Sequence, residues 1–242
     1  MGRYYFGLYH WRRRFRRVGA ALLGLCLGVL VWRSGDRRAH LAGATLAALG
    51  LERARDPVQR LLDPPPWRVD RRKYERLAAG LPLGAADTLL DVGCGTGRSL
   101  VALAPFIPAD ATVLGIDVFD ARVILGNGPT LAVANAATAG LDARVLRGDA
   151  SRLPVASASQ DVVTVSRVLH DLPDQATAET ALDEIHRVLA PDGHLGVLEV
   201  PVTHDGDREP SEYWRTRLVN AGFHVEGLEE VDGYLVIHAS PS

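Results

Sequence analysis

The chain has 242 residues, 47% hydrophobic and 23% charged, which is enough for one sizeable core and excludes a disordered chain. Its two cysteines, Cys26 and Cys94, lie in an apolar run and a glycine loop, which argues against a disulfide framework and fits a reducing compartment. The formal net charge of -2 hides a division between two regions with different neighbours: residues 1–76 hold 17 Lys+Arg against 6 Asp+Glu, and the rest hold 10 against 23.

Residues 1–60 read as a basic arm with one or two short hydrophobic helices. Residues 18–32 are uncharged and almost wholly apolar, with arginines on both sides and Trp11 and Trp32 near the ends. A spanning helix needs roughly 20 apolar residues, so this run is short unless its arginines snorkel. A signal peptide, a soluble helix packed on the domain, and a membrane anchor all share this pattern. No clean small-x-small cleavage site precedes the next basic cluster, and the arginine flanks and tryptophans suit an interfacial anchor. A second, weaker run covers residues 41–51. A hairpin of two short helices is expected over a single span, because a span with the main domain inside would place six N-terminal arginines outside, whereas a hairpin keeps both chain ends in the cytoplasm. The expectation is membrane association through residues 18–51, with the remaining domain cytoplasmic. Residues 61–72, "LLDPPPWRVDRR", form a proline-stiffened linker. The main domain takes residues 73–242 and opens with a short helix through Ala79.

From Thr88 onward, strand and helix patterns alternate. "TLLDV", "TVLGID", "ARVLRGD", the start of "QDVVTVSRVL", and "HLGVLEV" read as strands. "SLVALAPFI", "TLAVANAATAGL" with Gly140 as its C-cap, "ATAETALDEIHRVLA" and "SEYWRTRLVNAGF" read as helices. Pro191 and Gly193 end the third of these helices. "FHVEGLEEV" and "GYLVIHA" close the chain as an antiparallel pair. The alternation predicts an α/β fold, an open, doubly wound, mostly parallel sheet with helices on both faces.

The strand "TLLDV" runs into Gly93, Gly95 and Gly97 and then a helix. Such a turn lets a ligand approach backbone N–H groups without Cβ interference. The dinucleotide fingerprint needs glycine at position 98, where Arg98 stands, and no phosphate-loop lysine follows, since Lys73 is the only lysine. Asp117 and Asp149 end the next two strands. A carboxylate at the first can accept hydrogen bonds from a ribose diol, and one at the second can take an exocyclic amine. Each feature alone is also what an ordinary strand-to-loop junction shows; the three together sit on the edge where open α/β sheets bind ligands.

With these motifs the chain resembles the class I S-adenosylmethionine-dependent methyltransferases over about residues 70–240. "LLDVGCGTG", "GID", "GDASRLP", "QDVVTVSRVLHDL" and "HRVLAPDGHLGVLEV" carry the resemblance, which is strongest to the small-molecule branch that includes quinone-biosynthesis enzymes. It implies a Rossmann-like, seven-stranded sheet with a reversed last hairpin, and S-adenosylmethionine as cofactor. By the resemblance, Asp91, Gly93, Cys94, Gly95 and Gly97 surround the methionine part. Asp117 holds the ribose, Asp149 and Ala150 hold the adenine, and Ser166 lines the methyl-donor side. The chain departs from the family pattern at residues 118–130, which are longer than usual; there Asn127 and Gly128 are expected to shape the cofactor pocket or the substrate entrance.

Methyl transfer needs alignment and exclusion of water, and a base only if the acceptor must lose a proton. His170 and Asp171, Glu199 and His204 are candidates, each equally readable as a hydrogen-bonded loop residue. No Asn-Pro-Pro-aromatic tetrad and no metal-ligand spacing occur. The expected acceptor is a small or lipophilic molecule. The acidic domain opposes a nucleic-acid substrate; a nucleic-acid methyltransferase and a non-catalytic cofactor-binding or scaffold module are the alternatives.

Overall fold

The computed structural model describes residues 4–33, 35–62, 65–206 and 208–242. In chain order the elements are β1 (Leu8–Tyr9), α1 (Trp11–Arg33), α2 (Arg37–Leu62), α3 (Arg71–Ala79), β2 (Thr88–Val92), α4 (Arg98–Leu103), β3 (Thr112–Asp117), β4 (Ile124–Leu125), α5 (Pro129–Thr138), β5 (Ala143–Arg147), β6 (Gln160–Ser166), α6 (Gln175–Val188), β7 (Leu189–Glu199), α7 (Pro210–Asn220), β8 (Phe223–Val231) and β9 (Tyr234–Pro241). They divide into two compact units. One holds Val69–Phe119 and Gly128–Ser242; the other holds the chain up to Arg68 together with Asp120–Asn127.

The larger unit is the expected α/β layer structure. Its seven-stranded sheet has the order β5-β3-β2-β6-β7-β9-β8. The five strands from β5 to β7 are parallel, and β9 runs against both β7 and β8. Strands buried on both faces read as continuous apolar runs, which is why "TLLDV" and "DVVTVS" show little alternation. One core packs Leu90, Val163, Val165 and Val197 against Leu182 and Ile185 of α6 and Trp214 of α7. The other packs Leu89, Val113 and Val162 against Tyr74 and Leu77 of α3 and Leu100 of α4.

The α6–β7 junction differs from the sequence reading. The helix stops at Val188, and β7 begins at once at Leu189 and passes through Pro191 and Gly193. The residue before a proline is driven toward extended backbone, so the strand starts ahead of Pro191 rather than after it. The register against β6 then jumps from Gln160↔Leu189 to Val162↔His194.

In the smaller unit, α1 and α2 pack antiparallel through small residues. A Cβ on Gly28 would lie 2.5 Å from Ala47 N, and one on Gly43 would lie 2.5 Å from Trp32 N. Asp36 caps α2 by accepting the Ala39 N–H at 2.6 Å, and Trp32 meets His40 edge-on at the turn end. Leu22, Leu23, Leu27, Leu30, Leu41 and Leu51 are between 49% and 67% exposed. Small residues inside and leucines outside invert the pattern of a water-soluble hairpin. Among the described residues, α1 is the one helix long and apolar enough to cross a membrane. The expected linker is described in part: α2 extends to Leu62, Asp63 and Pro64 lie outside the described residues, and α3 begins at Arg71. Residues 120–127, expected within the main domain, fold with the N-terminal unit instead.

Candidate functional site

The parallel strands deliver the candidate residues to one edge of the sheet. Gly93, Asp117, Asp149, Ser166 and Glu199 stand at or just beyond the C-terminal ends of β2, β3, β5, β6 and β7. This edge is where open α/β sheets bind ligands.

The glycine loop is held from several sides. Gly93 has φ +73°, and a Cβ there would lie 2.1 Å from Val168 Cγ2. Gly97 has φ +80°, with the Ala132 carbonyl oxygen 2.8 Å from where its Cβ would stand. Only glycine fits both the left-handed backbone and the close approach. Gly93 N–H and Cys94 N–H both donate to the Ile116 carbonyl, and Gly95 N–H donates to Asp117 Oδ2 at 2.9 Å.

Asp91 and Cys94 are the buried members of this group. Asp91 is fully buried, and its carboxylate accepts from Ser99 Oγ at 2.5 Å and Thr164 Oγ1 at 2.8 Å. It ties the first turn of α4 to β2 and β6, so it supports the loop from beneath. Burial pushes its pKa up to about 6 against the lowering pull of Ser99 and Thr164, and the Asp117 charge adds to the rise. Cys94 is 3% exposed, with its sulfur in the space a Cβ on Gly115 would take. Burial, with the Asp91 and Asp117 charges, holds the thiol well above its usual range, so it supplies no thiolate.

Asp117 is half-buried and accepts Gly95 N–H and, at 2.5 Å, Phe119 N–H. Asp149 is exposed, and its Oδ1 accepts Ser151 N–H at 2.9 Å and Ser151 Oγ at 2.8 Å. Ala150 beside it packs partly against the core. Ser166 is 9% exposed, and its Oγ is buried with no hydrogen-bond partner.

Beyond Ser166, the chain brings two of the base candidates together. Glu199 is fully buried and accepts Leu169 N–H at 2.9 Å and Val200 N–H at 2.8 Å. Its Oε1 lies 2.5 Å from His170 Nδ1. With a carboxylate accepting at Nδ1, the neutral ring carries its hydrogen there and presents the Nε2 lone pair. Burial lowers the His170 pKa, but the Glu199 hydrogen bond and charge, with Asp171, outweigh it and raise the pKa above the usual value. Asp171 is more than half exposed and stands 3.4 Å from Nε2. His204 is set apart: its ring nitrogens face Tyr213 Oη at 3.0 Å and the Leu172 carbonyl at 3.3 Å, which ties its loop to α7.

Sequence reasoning missed the supports. Thr164 was visible as a hydroxyl among valines in "DVVTVS", and Asn135 as an amide in the alanine-rich "TLAVANAATAGL". Asn135 is 4% exposed and donates to the Thr96 carbonyl at 2.8 Å. The residues fit S-adenosylmethionine: carboxylates suit its positive charge, and the buried Ser166 hydroxyl at the strand end has hydrogen-bonding capacity for a polar group.

Residues 90–197 match the family model described as a methyltransferase domain. The chain is 36% identical over 119 residues to the demethylmenaquinone methyltransferase of Lactobacillus johnsonii, covering 49% of this chain and 46% of that one. It is 31% identical over 183 residues to the 27-O-demethylrifamycin SV methyltransferase of Amycolatopsis mediterranei, covering 67% and 63%. The chain thus spans between about half and two thirds of the length of these relatives. A solved S-adenosylmethionine-dependent methyltransferase from Aquifex aeolicus superposes with a TM-score of 0.55 at 25% identity, over 72% of this chain and 90% of that one. Strand order, the loop built on Gly93 to Gly97 and these likenesses give the chain the fold of the class I S-adenosylmethionine-dependent methyltransferases, with residues 90–197 matching a methyltransferase domain.

Proposed function

We propose that the chain transfers a methyl group from S-adenosylmethionine to a small or lipophilic acceptor at the cytoplasmic face of a membrane. Bound at the strand ends, S-adenosylmethionine supplies an electrophilic methyl group on a sulfonium that is already a good leaving group. Asp117 holds the ribose hydroxyls, Asp149 and Ala150 receive the adenine, and the loop from Gly93 to Gly97 lies along the methionine part. Asp91 acts from below by fixing that loop, and Ser166 faces the methyl-donor side.

His170 takes the proton when the acceptor is a hydroxyl or an acidic carbon. Glu199 orients the ring and stabilises the imidazolium that results, which is the task of a buried carboxylate behind a catalytic histidine. The observation that carries this assignment is the 2.5 Å contact of His170 Nδ1 with the fully buried Glu199.

The membrane part of the reading rests on the hairpin. It encloses Gly24, Gly28, Gly43 and Gly50 at the helix contact and turns its leucines outward. Small residues at the interface are how helices pack in lipid, where leucine gains nothing by hiding from its surroundings. The uncharged part of α1, residues 18–32, extends about 22 Å as a helix against a hydrocarbon core of about 30 Å, although α1 as a whole is long enough to cross. In either case the antiparallel hairpin returns the chain to the face it entered from, taken here as the cytoplasmic one. A lipophilic acceptor dissolved in the same bilayer then reaches the enzyme by diffusion in two dimensions.

The test is full-length protein in membrane vesicles with S-adenosylmethionine labelled in its methyl group. Label in the organic extract supports the reading. Label that stays with intact cofactor, despite measurable cofactor binding, makes the chain a non-catalytic binding module; label in added nucleic acid makes it a nucleic-acid enzyme.

A further inference from the structure

The segment between β3 and α5 leaves and re-enters the candidate site through groups that hold the glycine loop. On the way out, Asp117 takes the Gly95 and Phe119 amides. Arg147 donates to the Val118 carbonyl, and its guanidinium carbon stands 5.5 Å from the Phe119 ring centre. On the way back, α5 sets the Ala132 backbone against Gly97 and the Asn135 amide against Thr96. Both limbs of the insertion therefore end on the loop.

The middle of the insertion, Asp120–Asn127, folds with the start of the chain. β1 and β4 pair antiparallel, with Leu8 opposite Leu125 and Tyr9 opposite Ile124. His10 N–H donates to the Val123 carbonyl at 2.7 Å, and the Trp11 indole N–H donates to the Ala121 carbonyl at 2.8 Å. Gly7 has φ +69°, and a Cβ there would lie 2.4 Å from the Leu125 carbonyl oxygen. A two-stranded pair this short does not hold itself in water. Each partner depends on the other, and Trp11 is also the first residue of α1.

We propose that residues 7–11 form a clasp on residues 121–125 and are positioning residues for the cofactor. The clasp fixes the insertion, the insertion fixes Asp117 and α5, and these fix the glycine loop. The N-terminal hairpin is then not a detachable anchor: its base is part of the apparatus that sets cofactor affinity. The proposal rests on the reading that the loop from Gly93 to Gly97 and Asp117 bind S-adenosylmethionine.

The experiment uses full-length protein in vesicles of phosphatidylethanolamine and phosphatidylglycerol, with S-adenosylhomocysteine binding followed by calorimetry. Trp11→Phe keeps a ring and removes the indole donor. It is expected to raise Kd about threefold or more, the scale of one lost neutral hydrogen bond. A second form adds Leu8→Cys and Leu125→Cys on a Cys26→Ser background. Paired antiparallel residues have Cα atoms roughly 4.5–5.5 Å apart, within the reach of a disulfide. Oxidation of that pair in the Trp11→Phe chain is expected to restore binding, and reduction to lose it again. Affinity that ignores both Trp11→Phe and the redox state, while Asp117→Ala weakens binding at least tenfold, overturns the clasp alone. If Asp117→Ala also leaves binding unchanged, the cofactor-site reading fails and the clasp with it.

Discussion

Asp117 Oδ2 accepts the Gly95 amide at 2.9 Å, so the end of β3 and the glycine loop after β2 share one carboxylate. The same group is proposed to bind the ribose diol. Charge-assisted hydrogen bonds contribute about 1.5–3 kcal/mol each, so Asp117→Ala should weaken S-adenosylhomocysteine binding at least tenfold. Asp117→Asn, which keeps one carbonyl acceptor, should fall between the two. Calorimetry on the three proteins checks this, and equal dissociation constants would mean that Asp117 serves only the loop.

Gly93→Ala meets two obstacles. The left-handed backbone costs a non-glycine residue about 1–2 kcal/mol, and the new Cβ collides with Val168 Cγ2. Cofactor affinity and the thermal midpoint should both fall. Adding Val168→Ala removes the collision but not the backbone cost, so it should recover part of the loss. A double-mutant cycle measures the coupling. Strictly additive effects would show that Val168 is not what Gly93 accommodates.

The His170 charge should depend on Glu199 in a defined direction. A raised folded pKa means that the protonated ring adds stability in full below the unfolded pKa, and that this contribution is lost as pH rises through the folded value. As a base the ring must be neutral, so activity should rise with pH along a limb that lies above the usual histidine range. Glu199→Gln removes the charge and should move the limb to lower pH. The titration of the His170 ring signals by NMR, identified by their loss in His170→Gln, gives the shift without an acceptor. A limb that stays in place on Glu199→Gln would remove Glu199 from the proton transfer.

Asp91 titrates in the same sense as His170, over a more acidic window. Its folded pKa near 6 lies above the ordinary 3.8, so the protonated form favours folding, and that contribution is lost as pH rises from about 4 through 6. Unfolding free energy measured across this range should vary less in Asp91→Asn than in the native chain. Parallel curves would mean that the Ser99 and Thr164 hydrogen bonds cancel the effect of burial.

The hairpin should keep the full-length chain with membranes at high salt, because salt screens arginine–headgroup attraction and leaves apolar burial intact. Gly28→Leu should open the helix contact, since even a Cβ there would lie 2.5 Å from Ala47 N. Protease sensitivity of residues 35–45 in vesicles should then increase. Native chain recovered in the soluble fraction without detergent would leave α1 and α2 as a packing or partner-binding element.

How much of this was legible in the sequence follows from what each signal depends on. Strand and helix identity came from local periodicity and from short runs of valine and leucine, so the alternating order from Thr88 to the end was readable. The strand-end aspartates and the glycines at 93, 95 and 97 were readable too, because a tight turn between a strand and a helix restricts which residues fit. Helix ends were less so: Pro191 marked a break, but its effect on the preceding residues moved the start of β7 to Leu189. Only the tertiary structure decided which aspartates are presented. Asp91 and Asp117 both end apolar runs, yet one is fully buried under Ser99 and Thr164 while the other is half-buried at the edge. The pairing of His170 with Glu199, and of Leu8 with Leu125, joins residues 29 and 117 positions apart. No local pattern encodes such contacts. They form because the sheet brings β6 and β7 side by side, and because two short strands, each too weak alone, satisfy one another's backbone hydrogen bonds.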